Sequence, residues 1–102
     1  MTEILESKLD AIAQACKRHG ATRLDAFGSA LRDDFHPGQS DVDLLVELGS
    51  MEPYERVDAY FGLLEDLRAI LGKKVDLVVS GAVKNRYIAR DIERTKQLLY
   101  AA

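Results

Sequence analysis

Two aspartates two positions apart, Asp41 and Asp43, open the segment of this chain whose pattern most strongly constrains its fold. From Asp41 to Leu48, apolar side chains alternate with acidic ones, which is the pattern of a strand with one face toward a core. Because residues i and i+2 of a strand point to the same side, both carboxylates project from the other face. Two adjacent like charges need a cation between them, and carboxylate oxygens suit Mg2+ or Mn2+ better than Zn2+. The segment therefore predicts a strand that carries a divalent-metal site.

A Gly-Ser pair, Gly28-Ser29, follows a short segment from Arg23 to Phe27 that we expect to form a strand. Eleven residues separate Ser29 from Asp41. A Gly-Ser turn that opens a helix presents backbone N–H groups to a phosphate. A phosphate-binding turn that faces a metal site points to nucleotide chemistry.

A third acidic residue, Asp76, stands in a second β-patterned segment, Val75 to Val79. Its side chain points away from the apolar residues on either side of it. If this strand pairs beside the acidic strand, Asp76 shares one face of the sheet with Asp41 and Asp43. The sequence therefore predicts three carboxylates at one place.

The order of these features resembles the minimal nucleotidyltransferases of the DNA polymerase beta-like superfamily. Their signature is a Gly-Ser pair, a spacer, an Asp-x-Asp and a third acidic residue on a later strand. In this chain Gly28-Ser29, Asp41-x-Asp43 and Asp76 stand at those places, and the resemblance extends over nearly the whole sequence. Each feature alone is better explained as a solvated charge or an ordinary turn, whereas the ordered combination favours the functional interpretation.

The resemblance implies a role for each of these residues. Asp41 and Asp43 would hold two Mg2+ ions, or Mn2+ in their place, and Asp76 would complete the site of the catalytic ion. Asp76 is also the candidate acceptor of the proton from an attacking hydroxyl. Gly28 and Ser29 would bind the triphosphate of ATP, which is the nucleotide substrate.

The role of Ser40 stays open. It can orient the acidic strand by hydrogen-bonding the backbone, and so contribute to the nucleotide site, but it is equally an ordinary turn residue. No pocket for the base of a nucleotide can be placed from the sequence.

The resemblance also implies a function. Stand-alone proteins of this kind are typically paired with a HEPN-type toxin encoded nearby, and the expected activity is transfer of AMP from ATP to a hydroxyl, a tyrosine above all, on that toxin. The chain would thus be an antitoxin in a hetero-oligomer with a HEPN ribonuclease toxin. Two alternatives are a non-catalytic antitoxin that covers its HEPN partner, and a nucleotidyltransferase with a small-molecule acceptor. Larger members of the superfamily carry a second domain, and we expect residues 1–102 to form a single one.

Composition excludes several other classes of protein. The net charge of -3 and the pI of about 5.3 disfavour general nucleic-acid binding. No run approaches the roughly 20 apolar residues of a membrane span, and the first residues do not resemble a signal peptide, so we expect a cytoplasmic protein. The single cysteine, Cys16, lies at helical spacing from Ile12, which favours a buried thiol over a nucleophile.

The pattern as a whole predicts an α/β (α+β) domain of the polymerase beta-like nucleotidyltransferase fold. We expect a small mixed sheet of three or more strands, with helices packed mainly on one face. Helices are expected from Thr2 to His19, from Pro53 to Leu71 and from the region after Gly81 to the end of the chain. The predicted apolar stripe of the second helix consists of Tyr54, Val57, Phe61, Leu64, Leu67 and Leu71, and that of the last helix includes Ile88, Ile92, Thr95 and Leu99.

Overall fold

The computed structural model describes residues 3–28 and 42–102. The helices and strands of this part of the chain follow one another as α1 (Glu3–Ser7), α2 (Leu9–His19), β1 (Ala21–Phe27), β2 (Val42–Leu48), α3 (Pro53–Leu71), β3 (Val75–Val79), α4 (Arg86–Thr95) and β4 (Gln97–Ala101). The described strands form one sheet in the order β3-β2-β1-β4. β2 and β3 are parallel, whereas β1 is antiparallel to both β2 and β4. The predicted mixed sheet is therefore confirmed.

The hydrophobic core lies on one face of this sheet, under α1, α2 and α3. Alternate residues of β1, β2 and β3 point into it, because successive side chains of a strand face opposite sides. The buried strand residues include Leu24, Ala26, Val42, Leu44, Val46, Val75 and Leu77. The buried helix residues include Leu5, Ile12, Cys16, Leu63, Leu67 and Leu71. Three helices thus share one face, as the sequence indicated, and α4 lies over the other face, where Ile92 is buried.

The first predicted helix is interrupted. At Lys8 the backbone leaves helical geometry, with φ of -113° and ψ of 9°, and its N–H donates to the carbonyl of Leu5 at 3.2 Å. α2 then begins at Leu9 and ends at His19, and the next residue, Gly20, adopts the left-handed conformation (φ 74°) that glycine tolerates best. The predicted cap Thr2 lies outside the described residues.

Cys16 is fully buried in the core, as its helical spacing indicated. Burial away from water raises the pKa of its thiol to about 11, since desolvation disfavours the thiolate. A thiol that stays protonated at neutral pH is a poor nucleophile, so Cys16 is a packing residue.

α3 has the predicted bounds, but only part of its predicted stripe is buried. Tyr54, Val57 and Phe61 are exposed, so this part of the prediction is wrong. The helix is rotated so that Tyr60 faces the sheet, where its hydroxyl donates to the carbonyl of Leu77 at 2.6 Å. No described helix, α3 included, is both long and apolar enough to cross a membrane.

The end of the chain differs from the sequence prediction. The last helix was expected to include Leu99 and Tyr100, but α4 ends at Thr95 and both residues lie in β4. β4 pairs with the edge of β1 that β2 leaves open, and Leu24 lies opposite Tyr100. An edge strand offers unpaired backbone N–H and C=O groups, and a second strand satisfies them better than a helix can.

The strand β4 can be tested with two adjacent leucines. Leu99 is 9% exposed and packs in the core, whereas Leu98 is 49% exposed. We expect Leu99→Ala to lower the free energy of unfolding by about 2 kcal/mol or more, because it leaves a cavity in the core. Leu98→Ala should change the free energy of unfolding by less than about 0.5 kcal/mol. Chemical denaturation of both variants measures the difference, and equal losses would contradict this placement of β4.

Candidate active site

The parallel pairing of β2 with β3 places two of the predicted site carboxylates side by side. Asp43 lies directly opposite Asp76 in the register of the two strands. The neighbouring residues Val42 and Val75 point into the core, so both aspartates point to the opposite face. Asp43 is half-buried and Asp76 is exposed. The prediction that the third acidic residue shares a face with the acidic strand is thus confirmed for this pair.

The turn at Gly28 lies against the same carboxylate. Gly28 follows β1 immediately, and Phe27, the last residue of β1, pairs with Asp43. The backbone of Gly28 has a φ of +57°, and a Cβ atom built there would lie 2.6 Å from Oδ2 of Asp43. A real Cβ atom does not approach an oxygen so closely, so any other residue at this position would strain the backbone and force the Asp43 carboxylate to move. Gly28 therefore lies against the acidic strand, at Asp43.

Three predicted site residues, Ser29, Ser40 and Asp41, lie outside the described residues, and their roles stay predictions. Within residues 3–28 and 42–102, no three His, Cys, Asp or Glu side chains come together as a metal site. Of the predicted metal ligands, the described residues include Asp43 and Asp76, which are register partners. Two carboxylates on one face are hard oxygen donors that fit Mg2+ or Mn2+.

A further carboxylate on this face, Asp25, was not identified from the sequence. Asp25 is 1% exposed, and the guanidinium of Arg23 holds it with a fork, Nε to Oδ2 at 2.9 Å and Nη2 to Oδ1 at 3.2 Å. This hydrogen bond raises the pKa of Arg23. The sequence did contain a signal for this pair, because Arg23 and Asp25 stand at i and i+2 of one strand and their side chains therefore point to the same face. With both oxygens held by an arginine, Asp25 serves the structure of the sheet.

Metal binding by the carboxylate pair can be tested without any activity. Mg2+ at ten times its Kd would stabilise the folded chain by about 1.4 kcal/mol, which corresponds to an increase in Tm of several degrees. We expect this increase for the wild-type chain and its loss in Asp43→Asn and in Asp76→Asn.

The matched control is Glu47→Gln, which removes an exposed carboxylate from the same face of β2. This variant should keep the Mg2+ response. An undiminished increase in the Tm of Asp43→Asn would contradict the metal site.

Comparison with known protein sequences agrees with this geometry. The family model described as Nucleotidyltransferase domain matches residues 9–99. The chain is also similar to the "Putative protein adenylyltransferase MJ0128" of Methanocaldococcus jannaschii. The two are 42% identical over 74 residues, which is 72% of this chain and 69% of that protein.

Solved structures have the same fold. A structure described as a "putative minimal nucleotidyltransferase" is similar with a TM-score of 0.70 and 29% identity, over 93% of this chain and 92% of that one. A complex of the tri-AMPylated Shewanella oneidensis HEPN toxin with MNT antitoxin contains a chain with a TM-score of 0.62 and 17% identity, over 96% of this chain and 73% of that one. The second likeness shows the fold alone. The resemblance drawn from the Gly-Ser pair and the aspartates is thus confirmed, and the chain belongs to the nucleotidyltransferase domain family, with the fold of its minimal members.

Proposed function

We propose that this chain is a metal-dependent nucleotidyltransferase that transfers AMP from ATP to a tyrosine hydroxyl of a HEPN-type toxin and so neutralises it. The observation that carries the proposal is the placement of Asp43 opposite Asp76, with the Gly28 turn against Asp43. The acceptor is supported by similarity to a relative named as a protein adenylyltransferase and by the fold shared with an antitoxin in a complex with an AMPylated toxin.

The reaction is a displacement at the α-phosphorus of ATP. The oxygen of the acceptor hydroxyl forms a bond to that phosphorus, the bond between the phosphorus and the oxygen bridging to the β-phosphate breaks, and pyrophosphate leaves. The hydroxyl proton passes to a carboxylate oxygen, for which we propose Asp76. Little covalent chemistry is required of the protein, so its main task is to hold the reactants in line.

The carboxylates would hold the metal that this reaction needs. We propose that Asp43 and Asp76 would hold a divalent ion, with Asp41 as a further ligand. When bound, Mg2+ or Mn2+ neutralises phosphate charge that the carboxylates would otherwise repel. Gly28 allows the backbone to pass close to Asp43, so that N–H groups of the turn and the hydroxyl of Ser29 can bind the outer phosphates. Ser40 would orient the acidic strand.

The activity is tested on the partner protein. The purified chain is incubated with ATP, Mg2+ and the HEPN-type product of a neighbouring gene, and the partner is weighed by intact mass spectrometry. We expect the mass of one or more AMP groups on the partner, and the modified residue is identified by peptide sequencing. Asp43→Asn and Asp76→Asn should abolish the addition, whereas Glu47→Gln should retain it.

Two other outcomes would indicate a different function. A partner that stays unmodified in a stable complex, and that Asp43→Asn still neutralises, would show an antitoxin that acts by covering its target. Modification of a small-molecule acceptor with an unmodified HEPN protein would show a different substrate class.

The turn at Gly28 allows the close approach of the backbone to Asp43 to be tested. Gly28 and Gly72 have nearly the same positive φ, +57° and +64°, but a Cβ atom at Gly72 would meet nothing within 4 Å. Both Gly28→Ala and Gly72→Ala should lower the free energy of unfolding by about 1 kcal/mol, because alanine is strained there. Gly28→Ala alone should also displace Asp43 and reduce the rate of AMP transfer at least tenfold. Equal transfer rates in the two variants would contradict the role of the close approach.

A further inference from the structure

A groove of about 340 Å³ lies between the end of β1 and one side of α4. Phe27 and Gly28 line it from the β1 side. The α4 side consists of residues that recur about one helical turn apart, namely Tyr87, Ile88, Asp91, Ile92 and Thr95. We call the space between these two sets the α4 groove.

The α4 groove is continuous with the candidate active site. Gly28 lines the groove, and the same residue lies against Oδ2 of Asp43. Phe27 pairs with Asp43 across the β1–β2 ladder, so its ring points to the face that carries the carboxylates. A nucleotide with its phosphates at the Gly28 turn would therefore have the groove directly beside it.

The lining of the groove suits a flat, largely apolar ring. Tyr87 is 85% exposed and Ile88 is 54% exposed, whereas Ile92 beneath them is buried. An aromatic ring open to solvent is a surface on which a base can stack, and such stacking tolerates any base because each has a π-face. Asp91 and Thr95 add polar atoms that can meet the edge of a base.

We infer that the α4 groove binds the nucleobase of the donor nucleotide, with Tyr87 as the stacking platform. This inference rests on the proposed function, since it requires a nucleotide whose phosphates bind at Gly28. It assigns to α4, which follows the third carboxylate in the chain, the base-binding role that the motif residues do not supply.

The experiment separates the base from the phosphates. The affinities of the full chain for ATP and for inorganic tripolyphosphate are measured by calorimetry in Mg2+. We expect Tyr87→Ala to weaken ATP binding about tenfold, since one base–aromatic stack is lost, and to leave tripolyphosphate binding unchanged. Tyr87→Phe should bind ATP as the wild type does, because stacking needs the ring and not the hydroxyl.

Tyr54 provides the matched control. Like Tyr87 it is the second residue of its helix and is largely exposed, at 68%, but it lines no part of the α4 groove. Tyr54→Ala should therefore change neither affinity.

The failure of this inference and the failure of the proposed function give different results. If the wild-type chain binds ATP and Tyr87→Ala binds it equally well, the groove does not hold the base, while the proposed transferase stands. If Tyr87→Ala weakens ATP and tripolyphosphate to the same extent, Tyr87 supports the structure of the site and the inference is wrong. If the wild-type chain binds neither ligand in Mg2+, the proposed function fails and this inference fails with it.

Discussion

The candidate active site depends on the parallel register between β2 and β3. A slip of one residue would turn Asp76 into the core and expose its apolar neighbours, because side chains alternate along a strand. The register is held from the opposite face, where Val42 and Leu44 pair with Val75 and Leu77 in the core. The hydroxyl of Tyr60 adds a bond to the carbonyl of Leu77. The burial of apolar side chains on one face of the sheet thus fixes the carboxylates on the other.

The carboxylates on the face of the sheet opposite the core differ in their burial and in their partners. Asp25 is buried, and the guanidinium of Arg23 supplies the compensating positive charge that a buried anion requires. Asp43 and Asp76 are instead half-buried and exposed, which keeps them accessible to a metal ion and to a substrate. Gly28 then brings the backbone up to Asp43 at the end of β1. Burial therefore distinguishes the carboxylate that Arg23 holds within the sheet from the two more exposed carboxylates that we propose as metal ligands.

Local patterns predicted the parts of the fold that depend on local rules. The period-2 alternation of β2 and β3 predicted that Asp43 and Asp76 share a face. Pro53 at the start of α3 and Gly72 just after its end predicted the bounds of that helix. The spacing of Leu99 from Ile92 and Thr95 is compatible with a continuous helix, but it is equally compatible with a helix that ends before Leu99. The structure adopted by residues 97–101 is determined by the open edge of β1, with which they pair and which is distant in the sequence. Likewise, the rotation of α3 that exposes Val57 and Phe61 follows from its packing against the sheet, which a stripe of apolar residues does not specify.

The end of α4 at Thr95 and the start of β4 position α4 beside the end of β1, where its residues line one side of the α4 groove. At Lys96 the chain leaves the helix for an extended conformation, with φ of -58° and ψ of 148°, and β4 then runs along β1. β1 pairs with β2, which carries Asp43, on one side and with β4, which follows α4, on the other. Only one strand therefore separates β2 from the strand that follows α4. Phe27 at the end of β1 therefore faces both Asp43 and the side of α4 that carries Tyr87. Had the helix continued through Leu99, as the sequence pattern suggested, the pairing of β4 with β1 would be lost, and α4 would be held over this face only by packing such as that of Ile92. The continuous backbone from α4 into the strand beside β1 therefore fixes the end of α4 next to Phe27 and Gly28, where the α4 groove lies.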